Sequence, residues 1–155
     1  MSKCHQNYSC DNYVDNQRVM HALPKWFSPP DDIDKKSVIH RDFPFFAAYV
    51  DEEPVGFIAL KIHNQYTADI FTIGVVEKHH RKGIGRNLLK VAEKFCIDNG
   101  YIYLTVKTLD GSVHYEPYDG TRAFYMKMNF IPLEVFPTFW NKENPCLFLV
   151  KRLGD

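Results

Sequence analysis

What this chain lacks narrows it first. No apolar run approaches the ~20 residues that a membrane-crossing helix needs, and residues 1–11 are polar, without the apolar centre of a secretory signal. Charge of neither sign is in excess: 19 Lys and Arg stand against 19 Asp and Glu. That balance argues against a nucleic-acid binder or a membrane-surface binder, and leaves electrostatics to local patches. Cysteine is sparse. Cys4, Cys10, Cys96 and Cys146 form no Cys-x-x-Cys pair, so neither a disulfide framework nor a zinc ribbon is expected. The grouping Cys4, His5, Cys10 fits no common zinc spacing, and no metal is expected. Cys96 and Cys146 sit in apolar patterns and read as buried thiols, in keeping with a reduced, cytoplasmic protein. Repeats, low-complexity tracts and linkers are absent too. At 155 residues the chain suits one domain, able to bury roughly 70% of the surface its unfolded form exposes.

What is there changes period along the chain. From about Asp11 to Leu23, Tyr13, Val14, Val19, Met20 and Leu23 keep a loose helical spacing that Pro24 ends. Ser28-Pro29-Pro30-Asp31-Asp32 breaks the chain and then suits a helix start, with a second helix running to about His40. Phe45 to Val50 and Gly56 to Ile62 are β-type runs joined by the turn Asp51-Glu52-Glu53-Pro54, an antiparallel hairpin. Ala68 to Val76 is apolar on both faces, as at the centre of a covered sheet. After a basic, glycine-punctuated turn, Ile84, Leu88, Val91, Ala92, Phe95 and Cys96 form one helical stripe, which Gly100 stops. Tyr101 to Lys107 is the next strand, and the helix between the two strands predicts that they lie parallel. A polar loop over Asp110 to Gly120, a short helix over Thr121 to Met128 and strands at Ile131 to Phe136 and Leu147 to Val150 complete the order. Asn141-Lys142-Glu143-Asn144-Pro145 is the turn of that last hairpin.

The turn Glu77-Lys78-His79-His80-Arg81-Lys82-Gly83-Ile84-Gly85-Arg86 carries most of the chemistry. A helix N-terminus offers unpartnered N–H groups and the positive end of the peptide dipoles, which suits a phosphate. Gly83 and Gly85 would let a diphosphate approach the backbone around Ile84 closely, while Arg81, Lys82 and Arg86 add mobile positive charge. A dinucleotide fingerprint would need glycine at position 81 or 88, where Arg81 and Leu88 stand. A phosphate loop would need Gly-Lys-Ser/Thr, and no such tripeptide occurs.

The order of elements and this turn resemble the GNAT superfamily of acyl-CoA N-acyltransferases. The family signature Arg/Gln-x-x-Gly-x-Gly/Ala falls on His80-Arg81-Lys82-Gly83-Ile84-Gly85, with His80 where relatives carry Arg or Gln. Thr121-Arg122-Ala123-Phe124-Tyr125-Met126-Lys127-Met128-Asn129-Phe130 resembles the family's Phe-Tyr-x-Lys-x-Gly-Phe segment. Asn129 replaces its Gly, and Asn also tolerates positive φ. The runs Pro132-Leu133-Glu134 and Asn144-Pro145-Cys146-Leu147 resemble bacterial members without an assigned substrate. The resemblance implies an α/β fold: a mixed, mostly antiparallel twisted sheet with helices on both faces. It implies one domain over 1–155, with 44–155 the cofactor-binding core and 1–43 a variable helical part on the acceptor side.

The activity so implied moves the acetyl group of acetyl-CoA to a primary amine by direct attack. The pantetheine arm would lie along Gly74, Val75 and Val76. A backbone N–H near Gly74 or Val75 would meet the developing oxyanion. Tyr125 matches the family's helix tyrosine and is the candidate general acid, since a phenol can protonate a leaving thiolate. Asp69 is the candidate for amine deprotonation: a carboxylate in so apolar a strand should have its pKa raised by burial. Arg122, one turn before Tyr125, either reaches the cofactor or pairs with Glu116 or Asp119. Trp26, Tyr115, Glu116 and Tyr118 are the expected acceptor-side residues, and exposed aromatics of the last hairpin could pair two subunits. A different class of function, a non-catalytic acyl-CoA-binding or sensing module, would keep the cradle without turnover.

Overall fold

The computed structural model describes residues 3–6, 18–26 and 43–154. The helix expected up to about His40 lies outside them, as does most of the helix expected from Asp11; its described end is helical over 18–21. The remaining elements are the strands β1 (Lys3–Gln6), β2 (Phe45–Val50), β3 (Glu53–Ile62), β4 (Thr67–Val75), β5 (Tyr103–Leu109), β6 (Ile131–Asn141) and β7 (Asn144–Arg152), with helices α1 (Ile84–Asp98) and α2 (Glu116–Lys127). The strands form one sheet in the order β1-β2-β3-β4-β5-β7-β6. Every neighbouring pair is antiparallel except β4 and β5. Those two run parallel because α1 carries the chain back over the sheet between them.

Period-two alternation divides the core. Phe46, Ala48, Ile58 and Leu60 point to the face covered by α1, where they meet Leu88, Leu89 and Ala92. Their neighbours Phe45, Ala47, Phe57 and Ala59 point the other way, against Val19, Met20 and Leu23. Helical segments therefore cover both faces of a mixed, mostly antiparallel sheet, the expected fold class. Burial of a side chain such as Met20 or Leu23 contributes about 1.5–3 kcal/mol, enough to hold the short 18–26 segment against the sheet. The α1 stripe is the one read from the sequence, and Gly100 stops the helix at φ 83°.

Strand ends shift by a few residues, as at Tyr103–Leu109 and Asn144–Arg152, and four larger differences have a physical reason. The β2–β3 turn is shorter than expected: Asp51 and Glu52 alone make it, both at positive φ (49° and 67°), the conformation that matches strand twist in a two-residue hairpin. Acidic residues rather than Asn-Gly fill it, so its length could not be read. The strand β1 was not expected, because it is polar; it adds to the edge of β2 through backbone pairing. Helix α2 begins at Glu116 rather than Thr121. Pro117 sits in its first turn, where a missing N–H is harmless, and Glu116 and Asp119 complement the dipole. Strand β6 runs on to Asn141 through Pro132 and Pro137, which an edge strand with register shifts tolerates.

Candidate active site

The site is a fork in the sheet. Pairing of β4 with β5 extends only from Thr67–Tyr103 to Ile70–Val106. Beyond that, β4 stays on β3 as far as Val75, and β5 stays on β7 as far as Leu109. Each arm is thus held on its outer side while the inner backbone edges face a gap. Ladder alternation decides which groups line it. Val76 N–H donates to Val55 O on β3 at 2.7 Å, and Gly74 O lies against Gly56 on the same side. The amides of Val75 and Ile73 therefore turn the other way, into the fork. Of the three residues expected along this arm, only Val75 directs its N–H there.

Two ionisable groups flank the apex on opposite faces. Tyr125, from α2, is buried among Phe124 and Phe130 on the α1 face. Burial first, then the neighbouring Tyr118 and Asp69, push its phenol well above the ordinary range, so it stays protonated. Asp69, in the last paired stretch of β4, points to the other face with only 6% of its side chain exposed. Its Oδ1 accepts a hydrogen bond from Thr105 Oγ1 at 2.6 Å and lies 3.6 Å from Lys107 Nζ and 4.0 Å from His63 Nε2. Desolvation dominates those partners and raises its pKa. The carboxylate is buried and partnered, not a strand-end Asp facing solvent.

At the far end of β4 a short 3₁₀ turn, Glu77–His79, leads to the glycine turn. His80 Nε2 lies 2.6 Å from Val75 O, which fastens the turn to the strand. Arg81 adopts φ 62° and Gly83 φ 79°; Gly83 is the N-cap of α1, and no side chain caps the amides that follow. A Cβ at Gly83 would meet nothing within 4 Å, whereas one at Gly85 would lie 3.5 Å from the Phe124 ring. The first glycine leaves the helix end open, and the second lies where α1 approaches α2. Ile84 is buried against Gly56, and Arg81, Lys82 and Arg86 are exposed around the turn.

The segment 24–26 bridges the two arms. On the β4 side Lys25 Nζ pairs with Glu77 at 3.1 Å, and the Trp26 ring meets His80 edge-on at 5.5 Å between centroids. On the β5 side Trp26 Nε1 donates to Pro117 O, Tyr118 OH to Trp26 O and Tyr115 OH to Lys25 O. Three of the expected acceptor-side residues thus come together, with their polar groups committed to the backbone carbonyls of Pro117, Lys25 and Trp26. Glu116 is exposed in the first turn of α2. Of the alternatives left open for Arg122, the structure gives the pairing: its guanidinium binds Asp119 and donates to Leu109 O, tying α2 to β5.

Sequence reasoning missed His63, Thr105, Lys107 and Thr108. The first three are visible only once strand register places them around Asp69. Lys107 Nζ also lies 5.0 Å from the Phe148 ring and 5.7 Å from that of Phe139. Thr108 Oγ1, two residues past Val106, the last residue of β5 paired with β4, is buried without a hydrogen-bond partner among the described residues.

The model for the acetyltransferase (GNAT) family matches residues 7–130. No curated protein matches the chain. Among solved structures, a GNAT-family protein from Desulfovibrio desulfuricans is similar with a TM-score of 0.84 at 18% identity, over 99% of this chain and 100% of that one. The aminoglycoside 6'-N-acetyltransferase of Enterococcus faecium is similar at 0.78 and 16%, over 100% and 98%. A GNAT-family acetyltransferase from Elizabethkingia anophelis, with acetyl-CoA bound, is similar at 0.73 and 20%, over 98% of each chain. These likenesses speak to the fold.

Proposed function

Given that the chain belongs to the acetyltransferase (GNAT) family, we propose that it moves the acetyl group of acetyl-CoA to a primary amine by direct attack. The residues present fit that co-substrate. The uncapped amides after Gly83 and the exposed Arg81, Lys82 and Arg86 suit its diphosphate. The inward edge of β4 and the orphan hydroxyl of Thr108 suit the amide-bearing pantetheine arm. Acetyl-CoA supplies the activated thioester. Everything else falls to side chains and backbone of the fork.

Val75 N–H, aimed into the gap, is the donor for the oxygen that becomes negative as nitrogen adds to the carbonyl. Asp69 takes the proton that the incoming amine must lose; its raised pKa makes it a better base than an exposed carboxylate. Tyr125 gives a proton to the departing thiolate, and its own raised pKa keeps that proton available at neutral pH. Cysteine is not expected to carry the acetyl group: burial pushes the Cys96 thiol up to about 12 and raises that of Cys146, so neither is a thiolate nucleophile at pH 7. Trp26, Tyr115, Tyr118 and Glu116 border the acceptor's approach.

One observation carries this reading. A buried phenol and a buried carboxylate stand on opposite faces of the apex of a fork whose β4 arm ends at an uncapped helix. The test is thiol release from acetyl-CoA with spermidine, kanamycin, tyramine and an alanyl peptide, with products confirmed by mass. Turnover of at least one amine, lost in Tyr125→Phe, is expected. Tight acetyl-CoA binding with no acetylated product would instead leave a binding module.

A further inference from the structure

We propose that His63 is the proton exit of this site, a relay that passes to solvent the proton collected by Asp69. The inference rests on the acetyl-transfer reading above. An alkylammonium sheds two protons in becoming an amide. One compensates the departing thiolate, which Tyr125 protonates, while the N–C bond forms and the C–S bond breaks. The other must reach bulk water. Asp69 is badly placed to release it, with only 6% of its side chain exposed.

Among the described residues, the groups facing that carboxylate leave one path. Thr105, from β5, already donates its hydroxyl proton to Oδ1. Lys107, also from β5, and Lys61, its register partner on β3, are ammonium groups with no lone pair to accept a proton. Cys146, on β7, is a fully buried thiol with no route outward. Tyr125 lies on the opposite face and already serves the thiolate. That leaves His63, whose Nε2 is 4.0 Å from Asp69 Oδ1 and whose side chain is 35% exposed. One bridging water, or a small swing of the ring, completes the contact. An imidazole has two ring nitrogens, so it can take a proton at one and pass one on from the other. Its position is built: His63 N–H donates to Thr67 O at 3.0 Å, and Asn64 Oδ1 accepts from the N–H groups of Tyr66 and Thr67, which fixes the β3–β4 turn.

The experiment compares wild type with His63→Gln and Asp69→Asn on whichever amine of the panel turns over fastest, in dilute buffer and with increasing imidazole. For His63→Gln, kcat is expected to fall about tenfold in dilute buffer, with both KM values and the melting temperature unchanged. Added imidazole should restore it, while wild type ignores imidazole. A wild-type kcat in His63→Gln, or a loss that imidazole does not restore, overturns the exit. If Asp69→Asn is inactive while His63→Gln is normal, only the exit fails. If Asp69→Asn is fully active, acetyl transfer stands but Asp69 does not collect the proton, and the exit falls; if no amine is acetylated, the acetyl-transfer reading itself fails and the exit falls with it.

Discussion

The two faces of the sheet at the fork treat an ionisable group in the same way and obtain opposite tools. On the α1 face Tyr125 is enclosed by Phe124 and Phe130. On the other face Asp69 is enclosed by Thr105, Lys107 and His63. Desolvation is the largest cause of the raised pKa in both. For a phenol that shift guards a proton; for a carboxylate it strengthens the appetite for one. On the proposed reading, a single physical effect, applied to two side chains, separates an acid from a base across one strand pair.

Removing the proposed acid should have the largest effect. Tyr125→Phe is expected to lower kcat by about 10²–10⁴-fold while acetyl-CoA affinity, followed by titration, stays near wild type. Removing the base comes next: Asp69→Asn should lower kcat/KM about 100-fold and flatten the acid limb of its pH profile. A stability measurement sharpens this side. Because the folded pKa of Asp69 is raised, the folded state holds its proton better than the unfolded chain. The stability that protonation supplies is complete below the unfolded pKa and is lost as pH rises through the folded one. Asp69→Asn should therefore gain melting temperature relative to wild type as pH is raised from 4 to 7; a gain that does not depend on pH would contradict burial as the cause.

The open helix end predicts a smaller loss. Gly83 sits at φ 79° with free space around it, so Gly83→Ala costs about 1–2 kcal/mol of backbone strain and should weaken acetyl-CoA binding about tenfold, about 1.4 kcal/mol. Gly85→Ala, which meets only ordinary contact with Phe124 and gains helix propensity, should bind more weakly without losing stability. Smallest of all is Lys25→Ala. It breaks an exposed pair with Glu77 and should shift stability by less than about 1 kcal/mol, read by denaturant midpoint.

Periodicity and glycine placement made the middle of this chain legible. The α1 stripe, the Gly100 stop and the parallel β4–β5 connection all follow from local rules that the tertiary structure does not override. Hidden features are those set by backbone pairing. A polar strand such as β1 has no apolar alternation to announce it. Pro117 and Gly120 read as loop residues, yet the first turn of α2 tolerates the proline and the helix runs on through the glycine. Above all, nothing in residue type says where the β4–β5 ladder stops, so the fork was out of reach even though Tyr125 and Asp69 were not. His63 was missed for a related reason: its place beside Asp69 depends on a turn tied by Asn64, a contact between main chain and side chain with no periodic signature.

The chain holds two tryptophans, and one of them, Trp26, spans both arms through Pro117 and His80. Any ligand that widens the gap must disturb the surroundings of that indole. Intrinsic emission therefore offers an optical gauge of occupancy that needs neither a label nor turnover.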